Sequence, residues 1–280
     1  MSGQVSTLGV LVSTTWEQYK ERAIPLLAVV LISTAVIVGM VMVVAFCAMF
    51  GGILIAHVES TKIVAYILGA IISVVALIIT ILALWFQTAM LAIIIKEDLG
   101  IIEAFQTGWT YLWPMTWVLT IYSGIMLTGF VLGILPGLLC MGWFSFCFYI
   151  LIEEDRRGLD SLLASMEYVQ GYWWNTFGKL FLIWFLYMII GLIPFVGTIL
   201  SIVFYPFLML FVLNMYHDLK DIKGETEVSA GSGTRIFWWV VTVIGLAIPI
   251  IALVGGLLAI LYGDNSWLEY VQQTDHGVSL

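Results

Sequence analysis

Any chemistry in this chain has to begin from its acidic clusters. Glu97 and Asp98 follow an isoleucine run, Glu153, Glu154 and Asp155 follow a second apolar run, and His217 and Asp218 close a third. Carboxylates gathered from three such ends would hold a cation or offer a docking surface to a partner. Glu97, Asp98, Glu154, Asp155, His217 and Asp218 are therefore the candidate site. A plainer reading stands beside it. Asp98 and Asp155 precede amphipathic stretches whose helical N-termini favour anions by about 0.3 to 1 kcal/mol each, and Arg156 and Arg157 are local counter-charges. Lys179 lies about a turn inside an apolar stretch, where a cation is either functional or snorkels to the nearby interface. With Trp113 and Trp173 it forms a candidate lipid contact.

Other chemistries lack their residues. The three histidines, His57, His217 and His276, fall on opposite sides of the topology derived below, so no histidine cluster forms. Cys47, Cys140 and Cys147 sit in apolar stretches with no metal-ligand spacing, and a disulfide framework of the secreted kind is not expected there. No Gly-rich phosphate loop leads into a helix. A net charge of -8 without clustered Lys and Arg does not suit nucleic acid. The expectation is a protein that is not an enzyme, carries no cofactor and binds no nucleic acid. The N-terminus lacks a basic region, short apolar core and small-residue cleavage site, so no cleaved signal peptide is expected.

The elements that must position these groups are set by composition. Hydrophobic residues make up 62% of 280 and charged residues 10%, a balance that fits a bilayer and not water. No charged residue occurs from Ala104 to Ile152. The spacing predicts an all-α integral membrane protein with about seven transmembrane helices: roughly 23–50, 63–95, 115–135, 137–152, 174–193, 198–216 and 236–262. Nine of the ten basic residues fall on one side of this arrangement and only Lys62 on the other. The positive-inside rule then makes the N-terminus cytoplasmic and the C-terminus external, in what reads as a prokaryotic cytoplasmic membrane.

The spans are organised as a repeat. Ile93 to Asp98 is echoed by Ile150 to Asp155 and more weakly by Leu213 to Asp218, and Ala104, Trp113 and Thr116 match Ala164, Trp173 and Thr176 at an offset of 60. Three units of interfacial amphipathic helix plus hydrophobic hairpin follow, at residues 1–98, 99–157 and 158–222. A linker (223–234), a seventh transmembrane helix (235–262) and an external acidic tail (263–280) complete the chain. From 159 to 173, Leu159, Leu162, Leu163, Met166, Val169 and Trp173 share one helical face, the pattern of a helix lying in the interface. The outer turns at Gly133 to Gly137 and Gly191 to Gly197 hold nothing more polar than backbone, so they suit shelter and not bulk water. The first hairpin is long enough for its outer end, with His57, Glu59 and Lys62, to provide that shelter.

Ala164 to Thr176, the Gly191-x-x-Pro194 turn and Asn214 to Leu219 carry a family likeness. Over about Ser6 to Asp221 the chain resembles the membrane domain attached to some glycerophosphodiester phosphodiesterases, and its stand-alone relatives of poorly defined function. The resemblance implies a membrane architecture. It does not bring phosphodiesterase activity, because the sequence contains no soluble catalytic domain. The expected role is a scaffold, anchor or accessory subunit of a membrane complex, with membrane lipids as partners and a protein partner docking through the interfacial helices or the external tail. The alternative is a lipid-handling or small-solute transport protein with a groove between its hairpins.

Overall fold

A computed structural model describes residues 5–57, 61–194, 196–224 and 231–262, and every regular element among them is an α-helix. In chain order these are α1 (Leu8–His57), α2 (Thr61–Ile95), α3 (Ile101–Leu132), α4 (Ile134–Trp143), α5 (Cys147–Glu153), α6 (Leu159–Val169), α7 (Trp173–Gly191), α8 (Val196–Lys223) and α9 (Ser232–Tyr262). Among the described residues seven segments are long and apolar enough to cross a membrane, with α4 and α5 counting together as one. The protein is an all-α membrane protein. The acidic tail, the predicted shelter at Glu59 and most of the linker lie outside the described residues.

The three amphipathic lead-ins have different structural fates. The first two are continuous with their spans, so α1 runs 50 residues without interruption and α3 runs 32. Only the third is a separate helix, α6. Its end is set by Gly171, whose φ of 89° lies in the left-handed region that favours glycine. The residue 60 positions earlier is Tyr111, which has no such freedom, and there α3 runs on.

The face arithmetic for α6 identified its apolar side but not its depth. Leu162, Leu163, Ala164, Tyr168 and Val169 are fully buried, and so are Ser161 and Ser165. Small side chains let α6 press against α4 and α5, which places it inside the bundle's charged end.

That position solves a problem in the fourth span. Its helix breaks at Phe144 to Phe146, between α4 and α5, and a broken helix at membrane depth must have its freed backbone groups satisfied by protein. Ser165 does this twice: its hydroxyl donates to the Trp143 carbonyl at 2.8 Å and accepts from the Phe146 N–H at 3.1 Å.

The core lies toward the charged end, where Tyr168, Tyr216, Phe144, Phe146, Phe211 and Leu26 are fully buried. Toward the hairpin end, α1, α2 and α9 face outward with Met42, Leu77 and Ile251 exposed, as lipid-facing residues are. The α9 helix packs on α3 through glycine. A Cβ at Gly124 would stand 2.6 Å from the Thr242 carbonyl oxygen, so no larger residue fits without moving a helix. Thr128 donates to the Val241 carbonyl at 2.7 Å across the same contact.

Candidate functional site

The second acidic cluster is drawn inward by aromatic hydroxyls. Glu154 follows the last turn of α5, and Tyr168 of α6 and Tyr216 of α8 converge on its Oε1 at 2.9 and 2.6 Å. The two tyrosine rings meet edge to face with centroids 5.5 Å apart. Lys220 of α8 lies 3.2 Å from the same oxygen, and the Arg156 Nε is 2.7 Å from Oε2. Burial pushes the Glu154 carboxyl up, but the Tyr216 and Tyr168 hydroxyls and the Lys220 ammonium outweigh it and hold the group below its ordinary value. Its neighbour Glu153 binds Lys220 and the His217 Nε2, each at 2.9 Å. The cluster therefore joins α5, α6 and α8: Glu154 Oε1 accepts from both tyrosines, and Arg156 offsets the charge at Oε2.

The other sequence candidates lie apart from this centre. Asp218 accepts two hydrogen bonds from Ser6, from its backbone N–H at 2.8 Å and its hydroxyl at 2.6 Å. Lys179 reaches the same residue from α7 and donates to the Ser6 carbonyl at 2.6 Å. Lys179 and Asp218 thus clamp the N-terminal segment between α7 and α8. Glu97 is 70% exposed and stands 3.7 Å from Arg22, whose guanidinium donates to the Ile93 and Ile94 carbonyls and so closes the C-terminal end of α2. Asp98 sits in the turn before α3. Asp155 adopts a left-handed φ of 50° and pairs with Arg157 at 3.2 Å on the surface. Among the described residues, no group of three or more His, Cys, Asp or Glu is placed to hold a metal.

The two aromatic candidates also differ. Trp113 is 79% exposed on α3, as a lipid contact would be. Trp173 turns inward: it stacks on Phe177 at 4.8 Å, its indole donates to the Leu139 carbonyl at 3.2 Å, and it occupies the space left by Gly142.

Two of the cavities between helices bear on function. A cleft of about 630 Å³ lies between α3, α4, α7 and α8 and is lined by side chains such as Met126, Phe130, Leu138, Phe181 and Trp184. A second cavity, of about 440 Å³, lies between α1, α2, α7 and α8, where Thr34, Gln87, Tyr187, Thr198, Ser201 and Tyr205 contribute polar groups. In the sequence Gln87 is a polar residue within an apolar stretch, with nothing beside it in the chain to connect it with the others. The available signal was Thr198, Ser201 and Tyr205 at i, i+3 and i+7, a polar stripe on one helical face.

No family model, curated protein or solved structure matches the chain.

Proposed function

We propose that the protein is a non-enzymatic, lipid-holding membrane protein, in which the apolar cleft between α3, α4, α7 and α8 receives an acyl chain. The observation that carries this reading is the cleft itself. At about 630 Å³ it falls in the range of roughly 300 to 1,000 Å³ usual for ligand sites, and no charged residue lines it. A void of that size between well-packed helices forfeits dispersion contacts on every wall, and a lipid tail restores them. Phe177 and Phe181 stack along α7 at a centroid spacing of 6.1 Å, giving one wall an apolar surface.

The engagement of Glu153 and Glu154 by tyrosine hydroxyls, Lys220, His217 and Arg156 supports a structural role for the charged end. The resemblance to phosphodiesterase-associated membrane domains belongs to the same proposal, as a link to lipid metabolism without the hydrolytic chemistry. A scaffolding or anchoring role is the second reading. It is favoured by the lengths of α1 and α2, whose exposed apolar sides offer a surface to another membrane helix.

The lipid reading is tested with a phospholipid carrying a photoreactive group at the end of one acyl chain. After reconstitution and illumination, adducts on Met126, Leu138 and Phe181 are expected to exceed those on the outward-facing Val243 of α9 by several-fold. Equal labelling of both sets would show that the cleft is no more occupied than the annulus.

A further inference from the structure

Hydroxyl side chains inside apolar helices ordinarily fold back onto their own helix and donate to the carbonyl one turn earlier. Several in this chain do so: Ser33 to Val29, Thr80 to Ala76, Thr88 to Leu84, Thr116 to Leu112 and Thr242 to Trp238, at 2.6 to 2.9 Å. In the cavity between α1, α2, α7 and α8, Ser33 keeps to that habit and its neighbours depart from it. Thr34, Tyr187, Thr198 and Ser201 line it, and among the described residues none of their hydroxyls makes a hydrogen bond. Gln87 is held from one side only. Its Oε1 accepts from the Tyr205 hydroxyl at 2.5 Å, which fixes the amide and leaves its two N–H donors without a protein partner.

The depth of this constellation matters. Gln87 lies eight residues before the charged end of α2, or about 12 Å along the helix, well inside the apolar segment. Unsatisfied donors at such depth are costly unless something accepts from them. The acceptor is uncharged, because no Lys, Arg, Asp or Glu lines the cavity and an unpaired charge there would keep its full desolvation penalty. It also carries several acceptor oxygens, since a lone hydroxyl would satisfy one donor and leave the rest.

We propose that this cavity binds the ester and hydroxyl region of an uncharged glyceride, of the diacylglycerol class, with its acyl chains trailing into the bilayer. The cavity volume of about 440 Å³ suits a polar glyceride core and not a whole lipid. The site shares no lining residue with the apolar cleft, so it stands or falls independently of the acyl-chain proposal.

The experiment is native mass spectrometry of the full chain in detergent micelles, with either dioleoylglycerol or dioleoylphosphatidylglycerol as the added probe. Wild type is expected to retain one dioleoylglycerol, in preference to the anionic lipid. Gln87→Leu and Ser201→Ala are expected to weaken retention about fivefold or more, while Val243→Ala on the outward face of α9 leaves it unchanged. Ser201→Ala removes one hydroxyl that makes no hydrogen bond among the described residues, so it reports on binding even if Gln87→Leu disturbs the fold. Equal retention by wild type and both variants would overturn the proposal. So would equal retention of the two probes, or retention of neither, the result expected of a cavity that holds only water.

Discussion

Glu154 shows how a residue that looks like a binding group is used up by its own protein. Two buried tyrosine hydroxyls, a lysine and an arginine converge on it. Removing the carboxylate by Glu154→Ala strands those partners and is expected to cost roughly 3 kcal/mol or more, read as a lower unfolding temperature in detergent. The pH dependence has a definite sign. The folded-state value of Glu154 is depressed, so its contribution is fully present above the group's ordinary value of 4.5 and is lost as pH falls through the lower folded value. Acid scans should show the wild-type unfolding temperature declining below about pH 4.5, with part of that decline missing in Glu154→Gln; superimposable wild-type and variant profiles would contradict this assignment. The sequence displayed the acidic clusters but not the tyrosines, because Tyr168 and Tyr216 lie 14 and 62 residues from Glu154 and only the packing of α6 against α8 brings them to it. Lys179 was recognisable as an exceptional cation, whereas its partner, the Ser6 carbonyl, is a backbone atom with no sequence signature.

Among the elements, α6 and the break in the fourth span explain each other. Sequence periodicity exposed the apolar face of α6, and the 60-residue echo drew attention to the segment. Neither revealed that Ser165 replaces the helical hydrogen bonds missing between α4 and α5. Ser165→Ala keeps the helix propensity and the volume close to native but leaves a buried N–H and carbonyl unpaired, at a cost of about 1–3 kcal/mol. Faster amide hydrogen exchange at Phe146 and Cys147 is the expected readout, and unchanged exchange would mean that another group covers the break. The contact between α3 and α9 makes a second demand. Gly124→Leu has to separate the helices, since even a Cβ would meet the Thr242 carbonyl. A disulfide that forms between cysteines placed at Thr128 and Val241 in the parent is therefore expected to form poorly in that variant. The glycines here gave no signal in the sequence, because glycine is common in membrane helices and the partner of Gly124 lies more than a hundred residues away.

At the scale of the whole molecule the decisive quantity is length. The seven spans were legible because long apolar stretches between charged ends admit few other arrangements in water or lipid. Their unequal lengths have a further consequence. At roughly 1.5 Å per residue, α1 extends about 75 Å and α2 about 52 Å, whereas α7 extends only about 28 Å and the broken α4 and α5 segment at most about 30 Å. With the charged ends at one headgroup layer, the turns of the two shorter hairpins come up at or just within the far edge of a hydrocarbon core about 30 Å thick. Leu135 and Val196 at those turns are 75% and 55% exposed, so no described part of the protein covers them and lipid is expected to. Cysteines placed at either position should therefore react slowly with a membrane-impermeant maleimide and readily with a membrane-permeant one in native vesicles. Rapid reaction with the impermeant reagent would put both turns in water, and the arithmetic of short hairpins beside long helices would then require a thinner or deformed bilayer around this protein.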